Sequence, residues 1–184
     1  PNPDYPAPAI FGFWDDLNPV NSNCNSTCSG NIYYHSNSER LVVWYNNVAH
    51  WVSEGFESPE GAAEAPNGGY FISNVVGEGR DKDGNGYIAH IGPDGSVIEQ
   101  HWAAKLDAPK GMAVLDGVLH ATDIDSVVSF DIATGKRLGK VRIEGAQFLN
   151  DATEWGGSIY VSDSGDAAIY KIVDGAAELW LQDE

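Results

Sequence analysis

The strongest constraint in this chain is a unit that occurs three times. The clearest copy runs from Leu106 to Gly145. It opens with Leu106-Asp107-Ala108-Pro109-Lys110-Gly111, and a short apolar run follows. A turn at Asp116-Gly117 leads into Val118-Leu119-His120-Ala121-Thr122-Asp123. Next come Val127-Val128-Ser129-Phe130-Asp131, the turn Ala133-Thr134-Gly135, and Arg137-Leu138-Gly139-Lys140-Val141-Arg142-Ile143. Four strand-like pieces separated by turn residues in about 40 residues match the size of one four-stranded propeller blade.

An earlier copy starts at Phe56-Glu57-Ser58-Pro59-Glu60-Gly61 and a later one near Phe148-Leu149-Asn150-Asp151. In each copy Gly68, Gly117 or Gly157 stands six residues before Asn74, Asp123 or Asp163. Within each unit apolar and polar residues alternate with period two, so each strand has one face to bury. A lone four-stranded sheet cannot bury both faces, so neighbouring units must stack. The expectation is an all-β chain with about three four-stranded blades of a β-propeller. An antiparallel sandwich with coincidental spacing is the competing fold.

The blades are expected at roughly residues 54–104, 105–145 and 146–184 of a partial propeller covering 53–184. An N-terminal β-hairpin module and linker would cover residues 1–52. There, Asn31-Ile32-Tyr33-Tyr34-His35 and Leu41-Val42-Val43-Trp44-Tyr45 flank a polar connection, a hairpin signal. His50-Trp51 precedes Phe56 much as His101-Trp102 precedes Leu106. Residues 48–52 therefore read as an outer strand of the repeat, and 41–52 are open to belonging with the blades. The chain begins at Pro1 and its one methionine is Met112, as in a processed chain or a piece of a longer one.

Charge excludes some functions. With 27 acidic against 10 basic residues, the formal net charge is -17. That disfavours nucleic acid and anionic membrane surfaces as partners. No apolar run approaches the length of a spanning helix. Cys24 and Cys28 are the two cysteines, and their spacing allows a small disulfide loop, which is favoured over free thiols. A disulfide points to an exported protein, periplasmic or extracellular.

Phe13-Trp14-Asp15-Asp16-Leu17-Asn18-Pro19 with the hairpin after it resembles a small β module of exported bacterial proteins. Asp15 and Asp16 read as turn residues, with cation holding the lesser reading. A more specific resemblance lies in Glu57-Ser58-Pro59-Glu60-Gly61, Tyr70-Phe71-Ile72-Ser73-Asn74-Val75, Leu106-Asp107-Ala108-Pro109-Lys110-Gly111-Met112, Gln147-Phe148-Leu149-Asn150-Asp151 and Ile159-Tyr160-Val161-Ser162-Asp163. Residues 54–184 resemble the senescence-marker-protein, gluconolactonase and luciferin-regenerating-enzyme family. The resemblance implies a six-bladed propeller, of which about three blades are present, with one divalent metal ion, calcium or zinc, on its axis. It also implies hydrolysis of sugar lactones and related esters.

Carried over by position, Glu60 and Asn150 match two of the family's metal ligands, and Asp151 stands beside the second. The family's later Asn and Asp have no counterpart in this sequence. Asp151 and Trp155 are placed to line a pocket near Asn150. Read from the residues alone, Glu60 is a turn residue after Pro59, and Asn150 bonds its own backbone. Asp81, Asp83 and Asn85 match the first half of a calcium loop. Its twelfth position is Gly92, where a bidentate Glu is expected, so a hairpin turn is the first reading. Asp123, Asp125, Asp163 and Asp166 likewise read as hairpin residues. His90 and His120 read as packed or exposed strand residues, and Trp102 and Trp180 as packing residues. There is no Gly-x-Ser-x-Gly, phosphate loop or dinucleotide fingerprint.

Three functions follow. The first is a lactonase-like hydrolase acting on a small-molecule lactone or sugar acid once the propeller is complete. The second is a non-enzymatic binding scaffold of an exported protein. The third is an inactive fragment. Half a propeller exposes two blade faces, which predicts a homodimer through them or cover from the N-terminal module.

Overall fold

The computed structural model describes residues 31–36, 41–46 and 56–183. Cys24, Cys28, Asp15, Asp16 and the expected outer strand at 48–52 lie outside the described residues. The chain divides into two units, each described by itself. In one, β1 (Asn31–Ser36) pairs antiparallel with β2 (Leu41–Asn46), with Asn31 opposite Asn46 and Ser36 opposite Leu41.

The other unit holds three antiparallel four-stranded sheets, each built from consecutive strands. The first contains β3 (Pro59–Glu64), β4 (Tyr70–Asn74), β5 (Gly86–Ile91) and β6 (Val97–Leu106). The second contains β7 (Pro109–Leu115), β8 (Val118–Asp123), β9 (Ser126–Asp131) and β10 (Arg137–Arg142). The third contains β11 (Leu149–Trp155), β12 (Ser158–Asp163), β13 (Ala168–Val173) and β14 (Ala176–Gln182). The described residues include no helix. The hairpins are tight because Asp116-Gly117, Gly156-Gly157 and Asp174-Gly175 all take positive φ. Two left-handed residues in succession give the twist that a two-residue β-hairpin needs.

The middle sheet is buried on both faces, and the period of two explains how. Leu119, Ala121, Val128 and Phe130 pack towards the first sheet with Phe71, Ile88 and Leu106. Val127 and Ala113 pack towards the third with Leu149, Ile159 and Val161. Full burial of one such Leu, Ile, Val or Phe is worth about 1.5–3 kcal/mol. Stacking of the sheets is thus the main source of stability. The first strands β3, β7 and β11 lie side by side, with β7 between the other two. A side chain at Gly61 would strike the Lys110 carbonyl, and one at Gly111 would strike the backbone of Asn150 and Ala152. Glycine therefore lets neighbouring first strands come into backbone contact.

The second strand of each sheet ends in a two-residue device. Asn74, Asp123 and Asp163 are buried; Asp123 and Asp163, expected from the sequence as hairpin residues, are instead buried acceptors. Asn74 accepts from the Glu57 amide at 3.1 Å. Asp123 accepts from Asp107 at 2.9 Å and Ala108 at 2.8 Å. Asp163 accepts from Gln147 at 2.8 Å and Phe148 at 2.9 Å. Each holds the chain segment that leads into its own sheet, and buried amides there have to find an acceptor. The preceding residue points the other way. Ser73 donates to the Lys110 carbonyl at 2.8 Å, and Thr122 to the Asn150 carbonyl at 2.7 Å. Alternation along the strand aims one side chain at the sheet's own entry and the other at the next sheet.

Burial pushes the Asp123 carboxyl above its usual range, against the N–H bonds from Ala108 and Asp107 and the Lys140 charge. A neutral amide should therefore replace it, as Asn74 does in the first sheet. Asp123→Ala is expected to cost about 2–5 kcal/mol by orphaning the buried Ala108 amide and the partly buried Asp107 amide. Asp123→Asn should cost less than half of that. Urea unfolding of both variants checks this, and equal losses would sink it.

Candidate functional site

The three first strands share one irregularity. Each pairs its first residue with the end of the second strand, then slips, so that regular pairing resumes three residues on at Ala62, Met112 or Ala152. Glu60, Lys110 and Asn150 thus hold the same position in three successive strands. Glu60 and Asn150 are half-buried. Between them on β7, Lys110 is 2% exposed. Its ammonium donates to the Gly79 carbonyl at 3.0 Å and the Ala108 carbonyl at 3.1 Å. It also lies 4.4 Å from the centre of the Phe148 ring, an attractive cation–π distance. Arg80 stands at the same distance from that ring.

By themselves these residues do not make up the ligand set of a divalent metal ion. Glu60 and Asn150 supply hard oxygen donors, but calcium takes six to eight and zinc about four ligands. Among the described residues no three His, Cys, Asp or Glu side chains are gathered so that they could hold a metal. The strand between those of the two donors carries a buried lysine, Lys110, and not a further oxygen ligand, at the equivalent position.

The loop between β4 and β5 closes mainly on itself. Asp83 accepts from the Asn85 backbone at 3.3 Å and its side-chain amide at 2.8 Å. The Asp81 amide donates to the Glu78 carbonyl, and the Gly84 amide to the Asp107 carboxylate. Lys82 reaches the next sheet and pairs with Asp125 at 2.8 Å, where Arg142 also approaches at 3.4 Å. Partial burial raises the Asp125 carboxyl, but Lys82, Ser126 and Arg142 outweigh it and hold it below the usual range.

Asp151 and Trp155 come together in a groove of about 370 Å³ on the outer face of the third sheet. Tyr160, Ser162, Ile169 and Trp180 also line it. Trp155 is 69% and Trp180 55% exposed, and the Trp180 ring meets Tyr160 edge-on at 5.1 Å. Trp102, at the corresponding place in the first sheet, packs against Phe71 at 4.5 Å and Phe130 at 5.9 Å. The two tryptophans differ because the second sheet covers the first, whereas no described residue covers Trp180 to that extent. Ser162 is the third of the forward-pointing hydroxyls. It accepts from the Asp151 amide at 3.0 Å, as Ser73 accepts from Gly61 at 2.8 Å.

His120 faces Ser129 across β8 and β9, Nδ1 to Oγ at 3.0 Å. No linear motif marks this pair, because the hairpin register alone places the two residues directly opposite. His90 stacks on Phe71 at 4.8 Å, and its Nε2 has no hydrogen-bond partner among the described residues. Burial holds the His120 pKa below its usual value. The unfolded chain therefore takes up the proton first as pH falls. The stability associated with neutral His120 is full above about pH 6.5 and is lost as pH drops through that value. His120→Gln should flatten the fall in stability between pH 7.5 and 5.5. Denaturation curves at both pH values check this, and an unchanged slope would refute it.

No family model matches the chain, and no curated protein matches it. Solved structures do. Virginiamycin B lyase from Staphylococcus aureus is 14% identical with a TM-score of 0.52, over 76% of this chain and 45% of that one. The sheets are β-propeller blades. A luciferin-regenerating enzyme is 16% identical with a TM-score of 0.50, over 66% of this chain and 44% of its own. A chain of a nidogen/laminin complex is 18% identical with a TM-score of 0.50, over 73% of this chain and 47% of that one. The chain thus spans less than half the length of each of these structures. At such identities the likeness shows the fold, and it does not single out one propeller family.

Proposed function

We propose that this chain acts as a β-propeller recognition scaffold of an exported protein, not as a self-sufficient hydrolase. The observation that carries this reading is that Glu60 and Asn150 offer only two oxygen donors, while the same position on the strand between theirs is held by the buried Lys110. Such a set does not polarise a lactone carbonyl as a hard dication does. The Cys24 and Cys28 pair supports export. A sugar lactone and an aryl ester, each assayed with calcium, zinc or manganese, should show no turnover above a Glu60→Ala control. Turnover that disappears in Glu60→Ala would overturn the scaffold reading.

A second reading is metal-dependent hydrolysis of lactones or esters in a complete propeller. It is favoured by the shared strand position of Glu60 and Asn150. It requires oxygen ligands beyond those of the described residues.

The partner surface of the scaffold is the aromatic face of the third blade. Trp155 and Trp180 are both more than half exposed there, and apolar surface of this kind favours association. A homodimer through this face is expected by light scattering, with Trp180→Glu shifting it to monomer. A monodisperse wild-type monomer that binds no apolar dye would count against it.

A further inference from the structure

We propose that the aromatic groove on the outer face of the third blade binds a small quaternary ammonium compound free in solution, one with a choline-like trimethylammonium head. The inference deepens the scaffold reading, because it rests on this face being a recognition surface and names a ligand for it.

The groove holds about 370 Å³, within the range of about 300–1,000 Å³ usual for small-molecule sites. Trp155, Tyr160 and Trp180 line it, one ring each from β11, β12 and β14. The rings are not coplanar. Trp155 is inclined 60° to Tyr160 with centres 6.0 Å apart, and Tyr160 meets Trp180 at 74° and 5.1 Å. Rings so inclined are able to border one cation on more than one side, and each ring face attracts positive charge within about 6 Å. The Lys171 ammonium lies 5.8 Å from the centre of the Tyr160 ring, so this face already holds one cation at such a distance.

Charge points the same way. Glu178 stands opposite Lys171 across β13 and β14. Asp151 adds a carboxylate to the groove lining. The whole chain carries a net charge of -17, which draws cations towards it. The kind of cation follows from the walls. Ala152, Val161 and Ile169 add apolar surface beside the rings. A primary ammonium is strongly hydrated and needs acceptors for its N–H groups. A quaternary ammonium has no N–H to satisfy and spreads its charge over methyl groups, so apolar walls cost it less. A choline lipid carries a phosphate beside the same head, and so acidic a chain repels phosphate. That favours a free ligand over a membrane surface.

The test follows tryptophan fluorescence of the whole chain, at a protein concentration where light scattering shows monomer. The probes are tetramethylammonium chloride, choline chloride and the neutral tert-butyl isostere of choline. Both cations are expected to saturate one site, and the isostere to bind at least about tenfold more weakly. Trp155→Leu and Trp180→Leu should each weaken choline binding at least about threefold. Both lie at exposed positions, so their Tm should stay within about 2 °C of wild type. Asp151→Asn should weaken binding about twofold or more at low salt, with the difference shrinking as salt rises. Choline and a second copy of the chain draw on the same tryptophans, so choline should lower the dimer fraction at higher protein concentration.

Equal binding of choline and its neutral isostere would overturn the proposal, as would choline binding that survives both leucine variants, or no saturable signal at all. Cosedimentation with phosphatidylcholine vesicles would overturn the free ligand in favour of a lipid head. A dimer that takes no cation would sink this inference and leave the scaffold standing. Lactone or ester turnover lost in Glu60→Ala would sink the scaffold reading whatever the groove binds.

Discussion

The structure depends on a buried acceptor at the end of each second strand. Asn74, Asp123 and Asp163 hold the amides of the segments that enter their own blades. Those segments are not strands, so no ladder satisfies them, and a buried amide without a partner is costly. Holding the entry fixes where the first strand begins. The slip that follows at Ala62, Met112 or Ala152 then recurs in all three blades. Asn and Asp are both suitable here because the role needs an acceptor oxygen and not a charge.

Stacking builds on that anchor. Ser73 and Thr122 hook the carbonyls of the next first strand, and Gly61 and Gly111 let the backbones meet. The third blade repeats the hydroxyl as Ser162 but has Asp151 in place of the glycine. Asp151 and Ser162 therefore stand on the wall of a groove, where the other two blades have a closed contact. The exposure of Trp155 and Trp180 and the burial of Trp102 have the same origin. A blade face is hydrophobic whether or not a neighbour is present.

Much of the architecture was legible in the repeat. The Gly-to-Asn/Asp spacing marked the hairpin turn and the end of the second strand correctly. The role of Asp123 and Asp163 was misread, because a short acidic residue next to a turn is ordinarily a surface residue. Asn74 in the equivalent place was the available signal, since an amide and a carboxylate interchange where only an acceptor is needed. Lys110 stood inside the motif that carried the family resemblance, yet lysine is almost always exposed, and nothing local marks it as buried. The His120 and Ser129 pair was missed for a related reason. It exists through the register of two strands and has no linear signature.

The sequence by itself determined the strands, the turns and the number of blades, because strand alternation and positive-φ turns are set by neighbouring residues. The tertiary structure alone decided which faces close and which charges are buried. It buried Lys110, on the strand between those of Glu60 and Asn150, against Gly79, Ala108 and Phe148. Those three contacts lie 31, 2 and 38 residues away along the chain. Burial and electrostatics are sums over such distant neighbours, and no local window of sequence contains them.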